Sequence, residues 1–175
     1  MVYLRDGGLV VRDLQRPDAD AIAAAELAQG WANASPEKYL KRLADRDAGR
    51  AIALAAELDG EVAGYVNVYP GGNGGAFAGR GWPEIVDFGV LEKFRRRGVG
   101  SRLMDTAEAV AARYADAVYL GVGLHSGYGS AQRMYVKRGY VPDGSGVWYR
   151  DAACAPYAPC INDDDLVLYL SKRLR

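Results

Sequence analysis

Between Ile85 and Ala111 the chain reads IVDFGVLEKFRRRGVGSRLMDTAEAVA: an apolar run, three consecutive arginines followed by two closely spaced glycines, then a helical stripe. No other stretch restricts the fold as strongly. Glu84 to Val90 carries the β-branched and aromatic residues of a strand. Val99, Leu103, Ala107, Val110 and Tyr114 recur at helical spacing, which predicts a helix over 99–114 with those side chains inward. A strand, a tight turn and a helix in succession place a helix N-terminus at the turn. There the first amides have no intrahelical partner and the helix dipole is positive. Gly98 and Gly100 remove Cβ atoms that would keep an anion from the backbone, and Arg95, Arg96 and Arg97 add fixed positive charge. A phosphate at such a turn is stabilised by hydrogen bonds and by the dipole together. The plainer alternative is a solvated basic turn that starts a surface helix.

Three phosphate cradles are distinguishable by spacing. A nucleotide P-loop needs GxxxxGK[ST], and no such run exists. A dinucleotide fingerprint needs GxGxxG in the first βα unit, whereas GVGSRL lies mid-chain and has Leu103 at the third glycine position. The spacing [RQ]xxGxG after a strand, the coenzyme A cradle, is met by Arg95-Arg96-Arg97-Gly98-Val99-Gly100.

The rest of the chain supplies alternating strands and helices. Leu9 to Arg12 reads as a strand, followed by a helix with Ala19, Ile22, Ala23 and Leu27 on one face and Gly30 as its stop. Ser35–Pro36 is an N-cap with Pro at the first helical position, and Tyr39, Leu40 and Leu43 form the buried stripe. Two apolar runs flank Asp59–Gly60, a two-residue hairpin turn. Gly71 to Trp82 is glycine-rich and predicts a mobile loop. Further strands are expected at 118–124, 147–150 and 166–171. A short helix capped by Ser130 should end at Gly139. This order predicts an α/β fold with a mixed sheet in one domain of 175 residues.

Composition narrows the function. Lys plus Arg number 22 and Asp plus Glu number 22, so no global field recruits nucleic acid or an anionic membrane. Apolar stretches such as Ala51 to Ala56 are too short to span a bilayer, and the N-terminus has no apolar signal region. Cys154 and Cys160 do not make a stapled secreted scaffold, so a cytoplasmic setting is expected.

A second motif, SAQRMYVKRGYVPDG over 130–144, accompanies the cradle. With both present, the chain resembles the GNAT superfamily of acetyl-CoA-dependent N-acetyltransferases, over its whole length and most sharply from Glu84 to Tyr140. Ala131, Met134, Tyr135, Gly139 and Tyr140 fall in register with the family pattern NxxAxxLYxxxGF. Tyr128 stands where the family has asparagine. The resemblance implies a mostly antiparallel central sheet flanked by helices, with two splayed central strands and pantetheine inserted between them. Phe88, Gly89 and Val90 would lie along pantetheine, with the Val90 amide near the thioester carbonyl. The amides of Arg95, Arg96, Arg97, Gly98, Val99, Gly100 and Ser101 would hold the pyrophosphate.

The implied reaction moves acetyl from acetyl-CoA to a primary amine by direct attack in a ternary complex. An amine of pKa ~10 costs about 4 kcal/mol to present unprotonated at neutral pH, so a carboxylate base is useful. Glu84, at the start of the strand, occupies the place of the base in histone-acetylating family members; a strand-end glutamate facing water is its plain alternative. Asp87 is the rival, since a carboxylate inside an apolar strand must find a partner or a function. Simple alternation puts Glu84 and Asp87 on opposite faces. By the same resemblance Tyr135 protonates the departing thiolate; otherwise it is a core aromatic. His125 reads as a proton relay or a hydrogen-bonded loop histidine. With one histidine and two cysteines no zinc set is expected, and no Gly-x-Ser-x-Gly elbow suggests a hydrolase. Asp163–Asp165 reads as a solvated lead-in to an edge strand or an acidic rim for a cationic substrate. Trp31, Trp82, Trp148 and Tyr149 are candidates for an acceptor pocket or for packing. The acceptor is expected to be a small molecule. A protein N-terminus or lysine, and a non-catalytic acyl-CoA sensor, stay open as alternatives, and the resemblance allows a homodimer.

Overall fold

The computed structural model describes residues 1–31 and 34–174. The elements are β1 (Val2–Asp6), β2 (Leu9–Asp13), α1 (Arg16–Ala28), α2 (Pro36–Asp47), β3 (Ile52–Leu58), β4 (Glu61–Tyr69), β5 (Glu84–Val90), α3 (Val99–Ala111), β6 (Ala117–Gly123), α4 (Gly129–Lys137), β7 (Val141–Tyr149), β8 (Ala152–Ala153) and β9 (Leu166–Arg173). The expected class, α/β with mostly antiparallel strands, is the observed one; β5 and β6 form a parallel pair. Contacts group the chain into two compact units, Met1–Pro70 with Val86–Val110, and Gly71–Ile85 with Ala111–Arg175. The strand β5 contributes residues to both.

In the first unit the strands lie in the order β1-β2-β3-β4-β5. Asp59 and Gly60 both have positive φ, 54° and 85°, which gives the β3–β4 hairpin a twist that matches its strands. The unit's helical core packs Leu14, Ala19, Ile22, Ala23, Tyr39 and Leu43 on Ala53, Ala55 and Tyr65. Pro36 opens α2, and the Ser35 hydroxyl accepts from the Glu37 amide at 3.2 Å, as its sequence predicts.

Leu27, expected on the inner face of α1, is 53% exposed. Glu26 takes the inward place, because its carboxylate accepts from the Tyr39 and Tyr65 hydroxyls, each at 2.6 Å. Two phenols satisfy the buried charge, and Leu27 is left at the stripe's edge. The helix α3 stops at Ala111 rather than at residue 114. The Tyr114 amide bonds the Ala111 carbonyl in a tightened last turn, which rotates Tyr114 out of the stripe to 54% exposure.

In the second unit the order is β5-β6-β9-β7-β8, with Glu84 of β5 paired to Tyr119 of β6. Phe77, Tyr119 and Tyr169 form its aromatic core, with Trp82 and Trp148 packed against them. The two-residue strand β8 lacks the length that would mark it in the sequence. The helix α4 starts at Gly129, so Ser130 lies inside it rather than at the cap expected of it; Tyr128 holds the N-cap position, and Gly139 follows the helix end at φ 85°. The amide of Tyr140 bonds the Tyr135 carbonyl and that of Gly139 bonds Val136, each at 3.0 Å. This closing motif brings residues three before and two after the cap together, and the Tyr135 and Tyr140 rings meet at 5.7 Å.

Candidate active site

The first unit contains the basic turn. A bond from the Arg102 amide to the Gly98 carbonyl, at 3.1 Å, is the first of α3, so Gly98 caps the helix. The amides of Val99, Gly100 and Ser101 precede that bond and have no intrahelical acceptor. Gly98 and Ser101 are exposed, so this end of the helix is open to an anion. Arg96 and Gly98 have φ of 61° and 83°, the left-handed backbone that makes the turn sharp. A Cβ on Gly100 would stand 3.2 Å from Phe88 Cζ and 3.4 Å from Val90 Cγ2. Phe88, Val90 and the helix start are therefore in one place.

The three arginines are not equivalent. Arg97 pairs with Asp59 at 3.0 Å, and Arg95 pairs with Glu92 at 3.2 Å while lying over Trp31. Arg96 is exposed and makes no ion pair among the described residues. It is the guanidinium with the least to give up on meeting a phosphate.

Gly89 is fixed by a side chain that sequence reading missed. A Cβ there would lie 2.6 Å from both Cζ and the hydroxyl oxygen of Tyr65. Tyr65 is itself held by Glu26. Burial, followed by the charges of neighbouring groups, pushes its phenol far above the ordinary range, so it stays protonated. The backbone of β5 at Gly89 thus rests directly on a phenol ring.

Asp87 has φ 52°, so β5 leaves the extended region there and simple alternation does not hold through it. Its carboxylate meets Arg42 Nε at 2.6 Å and Lys38 Nζ at 3.7 Å. Arg42 also donates to the Tyr69 hydroxyl at 2.5 Å, and Tyr69 donates to Asp45 at 2.6 Å. Asp87 has found its partner in this cation pair, which satisfies the requirement that a carboxylate inside a strand imposes.

The second unit contains Glu84 and Tyr135. Glu84 is 8% exposed, at the first position of β5. The Tyr119 hydroxyl lies 3.2 Å from its Oε2. Tyr135 is 5% exposed on α4. Burial first, and the neighbouring Tyr128 second, raise its pKa, so the hydroxyl remains a proton donor across the working range.

Tyr128, which replaces the family's asparagine, donates to Asp164 at 2.8 Å, and its ring occupies the space beside Gly123. The Nδ1 of His125 accepts from the Gly127 amide at 3.1 Å, which leaves its Nε2 to donate to Asp164 at 2.9 Å. His125 is a hydrogen-bonded loop residue. The loop from Gly71 is not loose where it meets the core: the amides of Asn73 and Gly74 donate to the Tyr119 hydroxyl at 3.1 and 3.3 Å. Cys154 and Cys160 are free thiols. No helix among the described residues is long and apolar enough to cross a membrane.

Comparison with known proteins agrees with this architecture. The profile of the Acetyltransferase (GNAT) family matches residues 16–140. A mycothiol acetyltransferase of Nocardia farcinica (strain IFM 10152) is 38% identical over 118 residues, which are 63% of this chain and 35% of that protein. The chain therefore spans about a third of that relative's length. A Salmonella typhimurium acetyltransferase that modifies the N-terminal serine of ribosomal protein L7/L12 superposes with a TM-score of 0.71 at 12% identity, over 99% of both chains. The Salmonella typhimurium protein yncA, solved with its cofactor acetyl-CoA, has a TM-score of 0.65 at 14% identity, over 97% of this chain and 95% of its own. At these identities the two structures speak for the fold alone.

Proposed function

As the chain belongs to the GNAT acetyltransferase family, we propose that residues 1–175 act as one N-acetyltransferase domain that moves acetyl from acetyl-CoA to the primary amine of a small molecule. The observation that carries this reading is the start of α3, where three amides without intrahelical acceptors follow the exposed Gly98, with the exposed Arg96 two residues before it in the chain. That chemistry suits a pyrophosphate. Arg95, Arg96, Arg97, Gly98, Val99, Gly100 and Ser101 would hold it, and Phe88, Gly89 and Val90 would lie along pantetheine. Bound acetyl-CoA supplies an activated thioester, so the protein needs only to position, deprotonate and protonate.

Glu84 takes the proton of the attacking amine. Asp87, already shared between Arg42 and Lys38, is the weaker candidate for that role. The amide of Val90 donates to the acetyl oxygen as charge develops on it. Tyr135, kept protonated by burial, gives its proton to the departing sulfur. The small-molecule acceptor is supported by the name of the 38% identical relative, and a cytosolic setting by the two free thiols.

The experiment is thiol release from acetyl-CoA against a panel of small amines and an N-terminal serine peptide. Release that depends on a small amine supports the reading. Release with the peptide alone makes it a protein acetyltransferase, and binding without release makes it a sensor.

A further inference from the structure

One tyrosine hydroxyl in the second unit carries more partners than packing requires. The oxygen of Tyr119 accepts from the amides of Asn73 and Gly74, at 3.1 and 3.3 Å. It has two acceptors within reach of its single hydrogen, the Gly74 carbonyl at 2.9 Å and Glu84 Oε2 at 3.2 Å. A phenol offers two lone pairs and one proton. Both lone pairs are engaged by the loop, and the one proton has two destinations.

Local structure keeps these partners in place. Tyr119 is the register partner of Glu84, and its own amide bonds the Pro83 carbonyl at 3.0 Å. Gly72 has φ 71°, and a Cβ there would stand 2.8 Å from the Tyr119 oxygen. Gly75, at φ 67°, would place a Cβ 2.0 Å from the Tyr169 ring. The glycine-rich loop is therefore wrapped onto two phenols at a distance that only glycine permits.

We propose that Tyr119 is a positioning residue for the base, its hydroxyl hydrogen directed to Glu84 when that carboxylate is ionised and to the Gly74 carbonyl when it is not. This rests on Glu84 as the base. The neutral acid gains nothing from Tyr119, because the lone pairs that could accept its proton are held by Asn73 and Gly74. The interaction is thus one-way and favours the ionised base. Two amides donating into the phenol polarise its O–H and strengthen it as a donor. No proton leaves Tyr119: the amine's proton passes to Glu84 and then to water, while the phenol only reorients.

The charge of Glu84 acts on two phenols, Tyr119 on β6 and Tyr169 on β9. Tyr119 is raised by burial and then by the charge of Glu84. Tyr169 is pushed up to about 12 by burial and then by Glu84, with Asp151 the next charge acting on it. Both phenols stay protonated wherever the base titrates, so the donor is present throughout.

The test is the acid limb of kcat/KM against pH, with the same amine for every enzyme so that substrate ionisation is common to all. Tyr119→Phe removes the donor, destabilises the carboxylate and should move the limb upward by about one pH unit. Replacing Tyr119 by 3-fluorotyrosine keeps the ring and makes a stronger donor, so the limb should move down. These opposite shifts support the inference. If Glu84→Gln removes the limb while Tyr119→Phe lowers kcat without moving it, the inference is overturned and the base assignment stands. If Glu84→Gln keeps the limb, the base assignment fails and takes the inference with it. Should Tyr119→Phe not fold, the fluorotyrosine enzyme decides alone: an unmoved limb overturns the proposal.

Discussion

Replacing Gly89 by Ala adds one methyl group where the structure has no room for it. The new Cβ would lie 2.6 Å from Cζ and the oxygen of Tyr65 and 2.9 Å from Cε1. Comfortable carbon contacts are about 3.5–4.0 Å, so the ring or the strand must shift by about 1 Å. Tyr65 is poorly placed to shift, since it is 4% exposed, packs edge-on against Tyr39 and donates to Glu26 at 2.6 Å. Overpacking of this kind costs about 1–3 kcal/mol. Pulling the hydroxyl from Glu26 leaves a buried carboxylate one donor short, which adds about 1–3 kcal/mol. We expect a loss of roughly 2–6 kcal/mol in urea unfolding of the protein without ligand, with the slope unchanged. In a Tyr65→Ala background the same substitution should be neutral to within about 0.5 kcal/mol, because the obstacle is gone. Gly89→Ala that unfolds within about 0.5 kcal/mol of wild type would refute the packing argument. The glycine would then be needed only for a ligand lying along β5.

Three other substitutions separate roles that the sequence runs together. Tyr135→Phe keeps the packing against Tyr140 and removes only the acid. It should lower kcat by about 100-fold or more, leave acetyl-CoA affinity unchanged, and lose least with a donor whose thiol needs no protonation. Full activity would return Tyr135 to a core aromatic. Arg96→Ala should flatten the salt dependence of acetyl-CoA binding more than Arg97→Ala does, because Arg97 is paired with Asp59. The reverse order in a titration series would show that the Asp59 pair opens to release Arg97.

The strand–turn–helix segment was legible because it is local. Its glycine spacing, arginines and apolar stripe are all set by neighbours in the chain, and β5 and α3 start where the pattern puts them. Asp59–Gly60 and Gly139 were legible for the same reason, since each needs a positive φ. What could not be read was pairing across long separations. The partners of Asp87 are on α2, 45 residues away for Arg42, and no alternation rule reports them. Tyr119 reads in AVYLGVG as an ordinary strand aromatic, and only the fold brings Glu84 and the backbone of the 71–75 loop to its hydroxyl. Glu26 gives no sign of burial in the sequence, because a buried carboxylate is improbable until two phenols are seen to satisfy it. Leu27 and Tyr114 depart from the pattern because they lie at helix ends, where a single tightened turn or a competing polar contact moves a residue off the stripe.

If the start of α3 holds the phosphates of acetyl-CoA, calorimetry on Gly100→Glu will show it. The substitution puts bulk and negative charge beside amides that would meet an anion. Gly100→Ala serves as the control, since it adds the Cβ, 3.2 Å from Phe88 Cζ, without charge. Saturable acetyl-CoA heats are expected for wild type, weakened binding for the alanine protein, and none for a glutamate protein that melts as a folded domain. A folded Gly100→Glu protein that titrates like wild type would contradict that role.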